Sequence, residues 1–311
     1  MAYVKASTLY KREHKADYGR EKIEILFEDE WLVVINKPSG LLSVPYPGSK
    51  MRTAQSVLED ILRKKGVVNS KHKPFVVHRL DRDTSGVMMF ALTEQAQKII
   101  MDSWHSMVTE RLYHAVAENR NKNDKKSLPD LTVSGIIDDN LAQNAHNVGY
   151  VPKKGATDDK GQEIKTVAAR THYKKLVEGP THTLFELSLD TGKKNQIRAH
   201  LAAHGYPLAG DEEHRAQTDY FHRLCLHART LEFDHPFTHE HLKFEVSEPE
   251  QWVEYVKKGD LKPEKTVWNK ERENKSGGKS RSYNNETLKL GEKRVSRKEM
   301  VHRGFIPSSK K

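Results

Sequence analysis

With 311 residues, 36% of them hydrophobic and 31% charged, and a mean hydropathy of −0.79, the chain is long enough for a real core. It is too polar for an integral membrane protein, since the longest apolar run, Val87 to Leu92, is far short of a bilayer span. The start lacks an apolar secretory segment, and one cysteine, Cys225, excludes an intramolecular disulfide, so a cytoplasmic location is expected.

The net charge of +10 sits at the ends: residues 1–20 carry +3 and residues 260–311 carry +8, leaving the body at about −1. Basic ends on a neutral body usually mean a polyanion partner, most often nucleic acid, although a tail that only keeps the chain soluble would have the same composition. Residues 1–20 have no periodicity and read as a flexible lead-in. IEILFEDEWLVVINKP reads as two short strands around a turn at Glu28 to Glu30. Arg52 to Lys65 is a helix by pattern, with Ala54, Val57, Leu58, Ile61 and Leu62 on one stripe, Thr53 as its cap and Gly66 as its stop.

PFVVHRL (74–80) and VMMFALT (87–93) are predicted extended, and Thr93 opens a helix with Ala96, Ile99, Ile100 and Trp104 on its apolar stripe. Leu112 to Glu118 reads as a strand. Residues 119–165 form a polar, loop-rich insertion. The segments 171–179 and 181–192 read as a hairpin turning near Gly179–Pro180, and 195–205 as a helix ended by Gly205. LCLHARTLEF and LKFEV are strands, and Ser247 and Pro249 start a last helix through Trp252, Val253 and Val256. Beyond Gly259 the apolar pattern collapses, which predicts a basic, disordered tail over 259–311. Strands and helices without strict βαβ alternation argue for an α+β class.

Two polar segments stand out. His78-Arg79-Leu80-Asp81-Arg82-Asp83-Thr84-Ser85-Gly86 packs carboxylates, guanidiniums and hydroxyls between two apolar runs. Asp81, close to cations, would stay ionised and could serve as nucleophile or base. A plain Asp-Thr-Ser-Gly turn with its own backbone bonds fits those residues too, and they leave that reading open. Lys193, Lys194 and Arg198 crowd a helix start, where cations are unfavourable unless an anion joins them. Gln196 and His200 share one helix face, with Arg198 directed elsewhere.

HRLDRDTSGVMMFA resembles the motif that carries the catalytic aspartate of the RluA-type RNA pseudouridine synthases. LVVINKPSGL, RLYHAVAE, TGKKNQIRAHLAAHGYPLAGD and RLCLHARTLEFDHPFT resemble further motifs of that family, in the family's order. The resemblance implies a catalytic domain over residues 21–258, with a central mixed, largely antiparallel sheet, flanking helices and a cleft across it. It implies isomerisation of uridine to pseudouridine in structured ribosomal or transfer RNA, without cofactor or metal, by a monomer. Asp81 matches the catalytic aspartate, Arg79 the arginine that fills the gap left by the flipped base, Tyr113 the aromatic that stacks on uracil, and Arg198 the partner of the aspartate. Apolar Ile197 would help exclude water. Lys193 and Asn195 depart from the family pattern, where Arg and His are frequent, and that departure is expected to touch only local RNA or loop contacts. With only about twenty residues upstream, no S4 RNA-binding module is expected.

Two rivals compete with this reading. His200 and His204, four apart on a helix, could hold zinc in a hydrolase, although the glutamate of a His-Glu-x-x-His motif is absent. A non-catalytic RNA-binding protein on the same fold is the other. The residues leave open whether Asp81 attacks C1′, adds to C6 or removes a C2′ proton.

Overall fold

The computed structural model describes residues 23–46, 48, 51–121 and 128–259, and the backbone of 288–290 and 293–295. The lead-in of residues 1–20, and the tail apart from those two strands, lie outside the described residues. The chain divides into two compact units, Met1–Leu261 and Lys262–Lys311. In the second, β13 (Leu288–Leu290) and β14 (Lys293–Val295) pair antiparallel.

The first unit runs β1 (Glu24–Glu28), β2 (Leu32–Lys37), α1 (Ala54–Lys64), β3 (His72–Val76), β4 (Ser85–Thr93), α2 (Glu94–Met107), β5 (Val108–Glu118) and β6 (Ser134–Ile137). It continues with β7 (Ala142–Gln143), β8 (Gly149–Tyr150), β9 (Thr171–Glu178), β10 (His182–Leu189), α3 (Gln196–Ala203), β11 (Leu226–Asp234), β12 (His241–Glu245) and α4 (Gln251–Lys258). One ten-stranded sheet has the order β1-β2-β4-β11-β5-β10-β9-β6, with β3 added to β4 and β12 to β11. Every pairing in it is antiparallel except β4 with β11, so the expected mixed, largely antiparallel sheet is present.

Both faces of the sheet are covered, which explains why β2 and β4 are apolar at nearly every position instead of alternating. Val33 and Ile35, with Met88, Phe90 and Leu92, pack with α1 and α3 residues on one face. Leu32 and Val34, with Val87, Met89 and Ala91, pack with Ala96, Ile100 and Met107 of α2 on the other. Farther along that second face, Trp252, Tyr255 and Val256 of α4 cover Val116 and Leu184.

Helix α1 starts as the sequence predicts: Thr53 accepts the Ser56 N–H, and Ser56 Oγ accepts the Thr53 N–H in return. Such a cap contributes about 1 kcal/mol. Burying Leu58 and Leu62 completely contributes about 1.5–3 kcal/mol each, so the apolar stripe outweighs the cap in fixing this helix. Two boundaries differ from the pattern. The extended run expected over 74–80 is a strand only over His72–Val76, and β5 begins at Val108 rather than Leu112. Within 119–165, residues 134–137 add the edge strand β6 to β9.

The parallel join of β4 and β11 requires a glycine. Gly86 lies opposite Ala228 at φ +112°, and a Cβ there would sit 2.0 Å from the Ala228 carbonyl oxygen. This close approach accounts for the Ser-Gly that ends the polar motif and brings β11 beside its last residues.

Candidate active site

The loop between β3 and β4 carries Arg79 and Asp81, and the segment after β2 fastens it. Lys37 is fully buried, which would be costly for a lone ammonium. Its Nζ donates to the carbonyls of Pro38, Leu41 and Arg82 at 2.9, 2.7 and 2.9 Å. Ser39 Oγ donates to the Asp83 carbonyl at 2.7 Å, and Ser43 Oγ donates to the Leu80 carbonyl while accepting the Leu80 N–H. The backbone is thus gripped on both sides of Asp81. Beyond β3 the backbone at Leu80, Arg82 and Asp83 is thus held by the 37–43 segment rather than by a ladder.

Asp81, Arg79, Tyr113, Ile197 and Arg198 all line one cleft of about 510 Å³. Asp83 does not line it and instead pairs with Arg82 at 3.0 Å on the outside. Tyr113 comes from β5, on the sheet face that also carries α3, and its ring is buried. Burial raises the Tyr113 pKa; Arg111 pulls it down and Asp81 adds to the rise, so the ring is a neutral phenol at pH 7. His78 beside Arg79 is neutral as well. Its Nε2 accepts the Met89 N–H at 2.9 Å, and burial together with Arg111 pushes its pKa down to about 3. Its ring lies 4.8 Å from that of Trp104, forming a wall of the cleft.

Arg198 reaches Asp81 at 3.5 Å, but its shorter bonds go elsewhere. Its Nε and Nη2 donate to the two oxygens of Asp211 at 2.7 and 2.6 Å, and Nη2 also meets Glu213 at 2.6 Å. Burial works against the Arg198 charge, and Asp211 and Asp81 outweigh it, raising its pKa further. Burial likewise works against the Asp211 charge, and hydrogen bonds from Arg198 and His214 hold its carboxyl well below the usual range. The anion that offsets cation crowding at this helix start therefore comes in part from the protein itself.

Gln196 and His200 do share a face: Gln196 Nε2 donates to the Arg170 carbonyl and Thr171 Oγ1, and His200 Nδ1 lies 2.9 Å from that same hydroxyl. The proposed zinc pair is occupied by other work. His200 Nε2 lies 2.9 Å from the Asp139 carbonyl, and His204 bonds the Pro129 carbonyl and the Asp139 carboxylate at 2.7 and 2.9 Å. Among the described residues, no group of three or more His, Cys, Asp or Glu side chains is arranged to hold a metal. Nor is any helix among them long and apolar enough to cross a membrane.

One expectation needs correction. The departure at Asn195 is not confined to loop or RNA contacts, because the Asn195 side-chain amide donates to Asp81 Oδ2 at 2.7 Å. The sequence held a signal for this in the departure itself, at the start of a helix next to an otherwise intact Gln-Ile-Arg.

Comparison with known proteins agrees with this geometry. Residues 31–203 match the family model for RNA pseudouridylate synthase. The chain is 32% identical over 240 residues to an uncharacterised RNA pseudouridine synthase, YlyB, of Bacillus subtilis, covering 75% of this chain and 72% of that protein. It is 31% identical to ribosomal large subunit pseudouridine synthase D of Pseudomonas aeruginosa, over 75% of this chain and 70% of that one. It is also 31% identical to tRNA pseudouridine synthase C of Vibrio parahaemolyticus, over 74% and 92%. In fold it matches the solved structure of human RNA pseudouridylate synthase domain containing 4, with a TM-score of 0.55 at 23% identity, covering 81% of this chain and 95% of that one. Neither the zinc hydrolase nor the non-catalytic binder is favoured by these likenesses. The chain belongs to the RluA-type RNA pseudouridine synthases, enzymes that isomerise uridine in RNA to pseudouridine.

Proposed function

We propose that Asp81 is the catalytic carboxylate of this isomerisation and that the target is a uridine in structured ribosomal or transfer RNA. The observation that carries this reading is the Asp81 carboxylate, about a third exposed, held at the cleft by Asn195 and Arg198. The cleft volume falls within the ordinary range of about 300–1,000 Å³ for small-molecule sites, room enough for an extruded nucleoside. Relatives named for large-subunit ribosomal RNA and for transfer RNA support the two substrate classes.

A uridine within a stem must leave the stack to expose its sugar, at a cost of a few kcal/mol. Arg79, exposed on the cleft rim, is long and planar enough to enter the vacated gap and recover part of that cost. The buried Tyr113 ring gives the extruded base a stacking face, worth roughly 1–3 kcal/mol. Ile197, 4% exposed, keeps water from the detached uracil so that it rejoins through C5 rather than escaping. Arg198, 3.5 Å from Asp81 Oδ2, helps to aim the carboxylate. The enzyme acts as a monomer in the reducing cytoplasm, in keeping with a single buried thiol at Cys225.

Pseudouridine mapping in RNA from cells with and without the gene tests the substrate. One or a few uridines in ribosomal or transfer RNA should lose the modification when the gene is deleted and regain it with the wild-type gene but not with Asp81→Asn. Identical maps with and without the gene would overturn the assignment.

A further inference from the structure

We infer that Asn195 is a positioning residue for Asp81 and that it presents one particular oxygen of that carboxylate, Oδ1, to the substrate. The inference rests on the catalytic role proposed for Asp81.

Asn195 is 7% exposed and precedes α3 with a left-handed backbone, φ 55° and ψ 23°. A residue in that position ordinarily caps the helix with its side chain, and Asn195 makes no such bond. Its side chain is spent elsewhere. Nδ2 donates to Asp81 Oδ2 at 2.7 Å, and Oδ1 accepts the Gly149 N–H at 3.2 Å. The two contacts fix the amide orientation, because the opposite one would set oxygen against carboxylate and N–H against N–H. Gly149 can come this close only as glycine, since a Cβ there would lie 2.3 Å from the Lys194 carbonyl oxygen.

These bonds belong to a closed ring. The Gly149 carbonyl lies 2.8 Å from His214 Nε2, and His214 Nδ1 lies 3.0 Å from Asp211 Oδ2. Asp211 holds Arg198 through two bonds, and Arg198 Nη1 stands 3.5 Å from Asp81 Oδ2, where the ring began. Four chain segments far apart in sequence (the 77–84 loop, β8, the start of α3, and residues 211–214) therefore meet around one carboxylate.

Both partners of Asp81 address Oδ2. Oδ1 has no hydrogen-bond or ion-pair partner among the described residues, and Asp81 lines the cleft. Two contacts on one oxygen leave the side chain little freedom to rotate and turn the other oxygen to the substrate. That orientation serves whichever atom of the nucleotide Asp81 acts on. A neutral amide adds a second point of hold without adding charge, so Asn195 orients the carboxylate while Arg198 places a positive charge beside it. Arg198 from α3 and Tyr113 from β5 both face Asp81, and His78, Arg79, His105, Arg111, Asp190 and Lys193 line the same cleft.

The test is steady-state kinetics on full-length protein with Asn195→Ala, Asn195→Asp and Asn195→His, using tritium release from RNA carrying 5-³H-uridine. Asn195→Ala should lower kcat by about 100-fold, as small misplacements of reacting groups do, with KM for RNA changed less than about twofold. Asn195→Asp brings a like charge against Asp81, so the acid limb of the pH–kcat profile should move to higher pH. Asn195→His keeps an N–H donor and tolerates the left-handed backbone, as His222 and His239 of this chain do, and should recover most of the activity. If Asn195→Ala folds poorly, the shift for Asp and the recovery for His carry the test. An Asn195→Ala enzyme with wild-type kcat, a loss confined to KM, or an unmoved pH profile for Asn195→Asp would overturn the inference. A wild-type enzyme that makes no pseudouridine sinks the functional reading itself, so the two failures are told apart by the wild-type control.

Discussion

Arg198 and Asp211 form a doubly hydrogen-bonded pair at 2.6 and 2.7 Å, shorter than the 3.5 Å between Arg198 and the Asp81 carboxylate. The arrangement places a buried anion behind the guanidinium and one about a third exposed in front of it. Asp211 thus fixes where the Arg198 charge sits, and Asp81 feels that charge at the cleft. The side chain of Asp211 is fully buried, while that of Glu213, which also meets Nη2 at 2.6 Å, is 53% exposed.

Those exposures decide a prediction that the distances alone cannot. Asp211→Asn leaves a buried guanidinium short of a counter-charge and should destabilise the fold by about 3–5 kcal/mol. Glu213→Gln removes a contact of the same length from a solvated group and should cost less than about 1 kcal/mol. Urea unfolding of the two variants checks this. Equal effects would show that contact length, not burial, governs the pair.

Acid should weaken the fold in a window set by His227. Its Nε2 lies 2.9 Å from the Val246 carbonyl, which only accepts, so Nε2 carries the hydrogen. Nδ1 then accepts from the Ser85 hydroxyl at 2.8 Å, leaving a neutral ring, and burial pushes its pKa down to about 4. Below pH 6.5 the unfolded chain takes up a proton that the folded chain refuses, so stability falls as pH drops from 6.5 towards 4. The loss is about 3 kcal/mol at its largest. Unfolding free energies at pH 7, 5.5 and 4.5 should therefore fall more steeply for wild type than for His227→Gln. Parallel slopes would contradict this account of the ring.

Much of this architecture could be read from residue order, and what could not has physical causes. The α1 stripe and its Thr53 cap are local, spaced three and four residues apart, so the sequence contains all the information that the helix needs. Strand β6 is four residues with a glycine and shows no pattern of its own, because its pairing partner β9 lies more than thirty residues away. The start of β5 carries Thr109, Glu110 and Arg111, a polar run that becomes strand because β11 pairs with it through Leu231 and Glu232. The five candidate residues were legible from motifs, but the bond from Asn195 to Asp81 spans 114 positions and exists only once the sheet has brought α3 beside the 77–84 loop. Likewise Lys37 lies in a segment that resembles a family motif, yet its grip on the Arg82 carbonyl depends on burial that no local pattern specifies.

Arg79→Ala should harm turnover on structured RNA more than on flexible RNA. Arg79 is exposed on the cleft rim two residues before Asp81, where a long cation can enter the stack left by an extruded base. A uridine in a loop or an unstructured oligomer has less stacking to lose, so its loss should be smaller. Comparing kcat/KM on a stem and on an unpaired oligomer of the same sequence checks this. Equal losses on both would remove Arg79 from a gap-filling role.

The central claim is that one carboxylate, Asp81, carries the chemistry. Tritium release from 5-³H-uridine RNA by Asp81→Asn, beside Asp83→Asn and wild type, tests it most directly. Asn keeps the size of Asp and most of its hydrogen bonding but removes the charge, so packing is not what is being measured. Asp83, paired with Arg82 outside the cleft, serves as the neighbouring control. Each lost decade of rate corresponds to about 1.4 kcal/mol, and loss of the reacting group should cost many decades. The account predicts folded, RNA-binding Asp81→Asn with no detectable release and Asp83→Asn close to wild type. Substantial turnover by Asp81→Asn, with Asp83→Asn inactive, would contradict it.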